Sequence, residues 1–227
     1  MMKHLRNLSA LGISMLVCSA ALTAQGQAPL TPAGVVSATD AQYPIRSVAD
    51  GAVVLDVALD AGGGVKGTTV VRDIASLTAI ATSSVQSWKF NPASGKAASE
   101  ASVVRVVFAF RPPEYRAAGP NFSPLLRGAD SSAKNAPGYI PAGILSVAPY
   151  PEYPVNAAMA GAVVVQVTVD RSGEIGSVKI IRDLPPFTAL AVSAAKNWRF
   201  QAARLNGQPV VSNVAIAFVF APLPAGG

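Results

Sequence analysis

Histidine, cysteine and paired acidic residues are the side chains that most enzymes use for proton transfer, nucleophilic attack and metal binding. The chain of 227 residues contains one histidine, His4, and one cysteine, Cys18, and both lie within its first 24 residues. Beyond that segment no histidine base or histidine–cysteine metal set can form. The sequence therefore predicts no catalytic residue, no metal site and no cofactor site, and we expect that the protein is not an enzyme.

The acidic residues that recur along the chain have structural interpretations. Asp60 and Asp170 precede glycines in turn-like segments, and Asp73 and Asp183 precede segments with helical spacing. Aspartate at such positions commonly accepts hydrogen bonds from nearby backbone N–H groups. We expect these four carboxylates to stabilise turns and helix starts rather than to act as general acids or bases.

The N-terminal 24 residues have the order of a secretory signal peptide. Basic residues up to Arg6 precede an apolar run over 8–24, and small residues surround Ala24. An uncleaved inner-membrane anchor is the alternative, because about 17 apolar residues approach the length that spans a bilayer. A lipoprotein signal at Cys18 is disfavoured because the bulky Val17 precedes it.

The charge balance argues against a nucleic-acid partner. Lysine and arginine total 18, aspartate and glutamate total 12, and the formal net charge is +6. The basic residues are scattered and form no run that could line a nucleic-acid groove. A solvated basic surface is the simplest interpretation.

An internal repeat organises the rest of the chain. Residues 43–112 align without a gap on residues 153–222 at a constant offset of 110. A repeat of this length is a small domain rather than a solenoid unit. The aligned identities include Tyr43-Pro44 with Tyr153-Pro154, Gly51 with Gly161, Arg72-Asp73 with Arg182-Asp183, Trp88 with Trp198, Phe90 with Phe200, Phe108 with Phe218, and Phe110 with Phe220.

Each copy predicts the order strand, strand, helix, strand. Alternating apolar residues after Gly51 and Gly161 predict a first strand, and a glycine turn joins it to a second strand over 65–72 and 175–182. An apolar stripe at helical spacing follows, with Ser76 as a candidate N-cap in the first copy. The predicted fold is α+β, with two tandem modules, each a three-stranded antiparallel sheet covered by one helix. Trp88 and Trp198 are expected in the cores.

This reading divides the chain into six segments. The segment between the modules is rich in Pro, Gly, Ala and Ser but also contains apolar residues, so part of it is expected to pack on a module. The predicted segments are a signal peptide (1–24), a lead-in (25–42), module 1 (43–112), a linker (113–149), module 2 (150–222) and a tail (223–227).

The ordered motifs resemble the C-terminal domain of TonB. The second copy carries them most fully, in Tyr153-Pro154, Gly161, the turn 170–173, Trp198-Arg199-Phe200 and the loop Asn206–Val210. The first copy lacks the last loop.

The resemblance implies a periplasmic domain that binds a peptide by adding it beside the last strand, which would be an edge strand. The implied partner is an envelope protein, such as a segment of an outer-membrane transporter. The residues implied for binding are Val214, Ile216, Phe218 and Phe220 in the second copy and Val104, Val106, Phe108 and Phe110 in the first.

Two features leave alternatives open. The two last strands could instead pair with each other, which would make the chain a structural or self-assembling envelope protein without a transport role. The sequence also lacks a histidine inside the apolar N-terminal run and a long charged spacer, both of which a TonB force transducer has. The expected location is the periplasm, or the inner membrane facing the periplasm if the N-terminal segment is retained.

Overall fold

The computed structural model describes residues 29–44, 47, 49, 51–95, 97–111, 138–147 and 159–221. The predicted leader, Tyr153-Pro154, the tail and most of the predicted linker lie outside the described residues. The described residues are mostly sheet with two helices, which confirms the mixed α+β class. The elements are β1 (Gly34–Ser37), β2 (Gly51–Leu59), β3 (Val65–Arg72), α1 (Ala75–Gln86), β4 (Lys89–Asn91), β5 (Val103–Arg111), β6 (Tyr139–Ile140), β7 (Gly143–Ser146), β8 (Gly161–Val169), β9 (Ile175–Arg182), α2 (Phe187–Lys196), β10 (Arg199–Gln201), β11 (Ala203–Leu205), β12 (Gln208–Val210) and β13 (Ser212–Phe220).

Six strands form one central sheet in the order β3-β2-β5-β13-β8-β9. All pairings within each half are antiparallel, and the halves meet where β5 and β13 run parallel. The last strands of the two repeats pair with each other, which joins the two predicted three-stranded sheets into one, as in the alternative that the sequence left open. This pairing satisfies backbone N–H and C=O groups that two edge strands would leave exposed.

The parallel seam places the two helices on opposite faces of the sheet. Residues paired across neighbouring strands point to the same face, and the seam pairs Phe108 with Ala217 and Ala109 with Phe218. Helix α1 packs on the face that carries Phe108 and Ala217, whereas α2 packs on the face that carries Phe218 and Ala109. The halves are thus related by an approximate two-fold axis that runs along the strands.

Large and small side chains alternate across this seam. Phe108 and Ala217 are fully buried on one face, and Ala109 and Phe218 are buried on the other. A phenylalanine from one half therefore fills space beside an alanine from the other. Cores reach their native density through such size matching, so this register is specified by packing as well as by backbone hydrogen bonds.

The helices begin as the repeat predicts, but with a different cap. Helix α1 begins at Ala75, so Ser76 lies inside its first turn and Ile74 occupies the N-cap position. The hydroxyl of Thr78 accepts a hydrogen bond from the backbone N–H of Ile74 at 2.9 Å. Thr188 accepts the corresponding bond from Leu184 at 2.8 Å. Neither helix has a side-chain hydrogen bond at its N-cap, so the prediction of Ser76 as the N-cap is wrong.

The tryptophans lie in the two cores, as predicted. Trp88 packs against Phe108 with ring centroids 5.5 Å apart, and Trp198 packs against Phe218 at 6.0 Å. Both indoles are almost fully buried. Each indole fills the space between its helix and the central sheet, and an aromatic side chain there buries a large apolar area.

The hairpin turns confirm the structural interpretation of Asp60 and Asp170. Asp60 Oδ1 accepts hydrogen bonds from Gly62 N and Gly64 N, both at 2.8 Å. Asp170 Oδ1 accepts bonds from the backbone of the matching turn, and its hydrogen bond from Ser172 lowers the pKa of this carboxyl. The turn also requires Gly63, whose φ is +83° and where a Cβ would lie 2.1 Å from the carbonyl oxygen of Phe90.

Candidate functional site: arms, clamps and outer edges

Two short arms cross the sheet and join the halves. The first arm, residues 29–44, contains β1, which pairs with β4 of its own repeat. The second arm, residues 138–147, contains β7, which pairs with β10 of its own repeat. Each arm packs on the face of the sister half that lacks a helix, and in this way both faces of the central sheet are covered.

The arms are part of the repeat, although the ungapped alignment at an offset of 110 does not include them. The first arm contains Pro32-Ala33-Gly34 and the second contains Pro141-Ala142-Gly143, at an offset of 109 rather than 110. One extra residue before Tyr153 breaks the constant offset. A search that allowed one gap would have moved the start of each repeat from the tyrosine to this motif. The predicted lead-in and the end of the predicted linker are therefore equivalent elements.

The first arm is held by an amide clamp, formed by the side chains of Gln166 and Asn213. Gln166 Oε1 accepts a hydrogen bond from Val35 N at 2.6 Å, and Asn213 Nδ2 donates to the carbonyl of Ala33 at 2.9 Å. These contacts satisfy the free backbone groups of β1 on the side that no strand pairs. A Cβ at Gly34 would lie 2.8 Å from Gln166 Oε1, so the close approach favours glycine there.

The second arm is held by an ionic clamp, formed by Asp56 and Arg105. The guanidinium of Arg105 binds both carboxylate oxygens of Asp56 at 2.7 Å. Its Nη1 also donates to the carbonyl of Ala142 at 2.8 Å, the counterpart of Ala33. The side chain of Arg105 is only 9% exposed, so the bidentate geometry and the third bond are needed to offset its desolvation.

Tyr139 lies beside this clamp at the start of the second arm. Burial raises the pKa of its phenol to about 12, an effect that the positive charge of Arg105 partly opposes. The tyrosine is therefore neutral throughout the physiological range.

A second carboxylate from an arm binds at one end of the sheet. Asp40 accepts a hydrogen bond from Ala162 N at 2.8 Å and forms an ion pair with Arg182 at 3.2 Å. Arg182 Nη1 also donates to the carbonyl of Ala162. Ala162 lies beyond the end of β9, so these contacts replace the strand partner that it lacks.

Arg72 occupies the position equivalent to Arg182 in the first half. It pairs with Val54 as Arg182 pairs with Val164. Its Nη1 is buried and has no hydrogen-bond partner, and Arg72 forms no ion pair with any residue that the structure describes. Burial lowers the pKa of this guanidinium below its ordinary value, although it remains charged.

The residues predicted to bind a partner are brought together, but in the centre of the sheet. Strand β13 pairs with β5 on one side and β8 on the other, and β5 pairs with β2 and β13. The prediction that these are edge strands is therefore wrong. The residues Val104, Val106, Phe108, Phe110, Val214, Ile216, Phe218 and Phe220 are essentially inaccessible to solvent.

The outer edges of the sheet are formed by β3 and β9 instead. Among the described residues no strand pairs with the outer side of either one. Val70 on β3 is 44% exposed and its repeat counterpart Ile180 on β9 is 47% exposed. Each edge also carries one lysine, Lys66 or Lys179, and each pairs with its inner neighbour through two irregularities in register. Such charges and bulges limit indiscriminate edge-to-edge association.

No metal-binding cluster is assembled in the part of the chain that the structure describes. Within these residues no three histidine, cysteine, aspartate or glutamate side chains are close enough to hold a metal ion. Asp183 accepts a hydrogen bond from Thr188 at the start of α2. The described residues present two outer sheet edges and exposed apolar side chains on them.

Comparison with known proteins finds a family similarity within the second half of the chain. Residues 147–222 match the family model described as Gram-negative bacterial TonB protein C-terminal, and no curated protein matches the chain. The described residues include no helix of the length and hydropathy that crossing a membrane requires. From the end of the second arm through β13, the chain is thus similar to the C-terminal domain of Gram-negative TonB proteins.

Proposed function

We propose that this chain is an exported, non-enzymatic envelope protein in which both repeats are TonB C-terminal-like modules. In this proposal it binds an extended segment of another envelope protein by strand addition at an outer edge of its sheet. The family match to residues 147–222 supports the envelope role. The observation that carries the binding mode is that no described strand pairs with the outer side of β3 or β9, whereas β5 and β13 are paired on both sides.

The outer edges have the properties that strand addition requires. Each is eight residues long and presents unpaired N–H and C=O groups to an incoming strand. An exposed apolar side chain, Val70 or Ile180, lies on each edge and gives a partner side chain a surface to pack on. Main-chain hydrogen bonds would supply affinity, and such side-chain contacts would supply specificity.

The closed seam bears on a role in outer-membrane transport. A transporter segment that added beside the last strand of either module would have to displace the last strand of the other. The register of the seam covers seven residue pairs, from Val214 with Arg105 to Phe220 with Arg111. Opening it would expose the aromatic residues of both cores, so binding there is disfavoured by the hydrophobic effect.

A structural role without a bound segment is the second candidate. The observation that favours it is that both outer edges carry a lysine and register irregularities, which are devices against further pairing. In that case the seam and the arms would complete the function of the chain as a compact envelope component.

Site-specific photo-crosslinking in intact cells distinguishes the two. A photoreactive amino acid replaces Val70 or Ile180 on the edges, or Gln86 at the exposed end of α1 as the matched control. Strand addition predicts a discrete adduct at an edge position but not at the control. Mass spectrometry of that adduct should identify an extended segment of one envelope protein. Folded variants without an edge-specific adduct would refute binding and leave the structural role.

A further inference from the structure

The first half repeats the arginine and the strand end that hold Asp40 in the second half, but no described residue places a carboxylate there. In the second half the Asp40 carboxylate contacts Arg182 and the N–H of Ala162. The corresponding groups in the first half are Arg72 and the backbone of Ala52. Ala52 pairs with Ala109 in the register in which Ala162 pairs with Val219.

The neighbouring glycines show the same difference. A Cβ at Gly161 would lie 3.1 Å from the side chain of Leu184 and 3.2 Å from Asp40 Oδ1, and a Cβ at the equivalent Gly51 would lie 2.8 Å from the side chain of Ile74. An apolar side chain thus lies beside both glycines, but among the described residues a carboxylate lies beside only Gly161. The second arm differs in sequence as well, because Pro149 and Tyr150 align with the position of Asp40.

We propose that Arg72 and the adjoining end of β3 form a carboxylate-binding site that receives an acidic residue of an extended partner segment. This proposal rests on the proposed function and selects β3, rather than β9, as the edge that is used. At β9 the equivalent arginine is already paired with Asp40. At β3 Arg72 is only partly buried and forms no ion pair with any described residue, so its guanidinium can receive an incoming carboxylate.

The surroundings favour a peptide carboxylate over a small anion or a second copy of this chain. Val70 and Val71 on the same strand are exposed, so a bound segment would also bury apolar surface. The chain carries a formal net charge of +6, which repels a second copy and attracts an acidic segment.

The sister half supplies the probe for a test. A peptide of residues 36–44, acetylated and amidated, contains Asp40 in its own context, and an Asp40→Asn peptide is its neutral match. Both are titrated by calorimetry into the full chain and into three variants. Arg72→Gln removes the proposed contact, Arg72→Lys keeps the charge, and Lys66→Ala removes a neighbouring exposed charge. Thermal unfolding confirms that each variant is folded.

The proposal predicts that Arg72→Gln and the Asp40→Asn peptide each weaken binding by about tenfold or more. Arg72→Lys should recover part of the loss, and Lys66→Ala should change the affinity by less than about threefold. The absence of binding to the unaltered chain, equal binding of the two peptides, or an equal effect of Lys66→Ala would overturn it.

Two further results separate this proposal from its alternatives. If the peptide binds only after Glu152→Gln, the site is occupied by the chain's own Glu152, which lies outside the described residues, and a partner carboxylate is excluded. If photo-crosslinking at Val70 captures a partner equally well in Arg72→Gln, the carboxylate contact is wrong while strand addition at the edge remains supported.

Discussion

Replacing Arg105 with alanine tests the ionic clamp most directly. The substitution leaves the Asp56 carboxylate, 19% exposed, without its bidentate partner and leaves the carbonyl of Ala142 without its donor. Removing one partner of a buried ion pair lowers the free energy of unfolding by about 3–5 kcal/mol. Because Asp56 is partly exposed, we expect a loss of about 3 kcal/mol here. For a chain of this size the midpoint of thermal unfolding should fall by about 6–12 °C.

The sister half provides the rescue. The amide-clamp residues Gln166 and Asn213 are the repeat equivalents of Asp56 and Val103. The repeat equivalent of Arg105 is Ala215. The triple variant Val103→Asn, Asp56→Gln, Arg105→Ala should therefore hold the second arm through neutral hydrogen bonds. We expect it to recover at least half of the stability that Arg105→Ala loses.

Urea denaturation of the two variants and the unaltered chain measures both effects. The reasoning is refuted if Arg105→Ala lowers the free energy of unfolding by less than about 1 kcal/mol, which is the value of an exposed pair. It is also refuted if the triple variant is no more stable than the single one, since the halves would then not hold their arms in equivalent ways.

Three other predictions follow from the fold. In the same urea assay, Gly63→Ala should lower the free energy of unfolding by about 2–3 kcal/mol, because the φ of Gly63 is +83° and the added Cβ would meet the carbonyl oxygen of Phe90. Gly67→Ala is the control: its Cβ would have nothing within 4 Å, so the loss should be less than about 1 kcal/mol. The pKa of Tyr139 is about 12 in the folded chain against an ordinary value of 10.0, so the unfolded state releases the phenol proton at lower pH. The free energy of unfolding should therefore fall between pH 10 and about pH 12. Tyr139→Phe should flatten that part of the plot of stability against pH. Ile216→Pro should abolish the cooperative unfolding transition, because it removes a backbone donor from a central strand, and a fully folded variant would contradict the assigned position of β13.

The elements of each repeat could be predicted because their patterns are local. The second strands were predicted at 65–72 and 175–182 and have these bounds in the structure. The turn at Asp60 and the core position of Trp88 likewise depend on residues close in the sequence. These features follow from alternation, helical spacing and turn chemistry, which one repeat contains by itself.

The position of the last strands was harder to predict because it depends on the other repeat. The alternate apolar residues of β5 and β13 predict a strand with one buried face. The residues between them, such as Val107, Ala109 and Ala217, are also apolar. A run that is apolar on both faces is typical of a central strand. This signal was present in the sequence and indicated the centre of a sheet, although it did not identify which strand would be the neighbour.

The candidate site could be predicted only in part for the same reason. The clamps join residues more than 35 positions apart, and Asp40 reaches Arg182 across 142 positions. No local pattern indicates which arginine will have a partner. The difference between Arg72 and Arg182 becomes visible only when the two halves are compared in three dimensions.

The seam between β5 and β13 has a consequence for assembly. Two separate copies joined by such a seam would dissociate on dilution, whereas here both strands belong to one chain and their local concentration is fixed by the linker. The association is therefore independent of how much protein a cell makes. Covalent joining also frees the halves from having identical surfaces, which is how one half can hold its arm with charges and the other with amides.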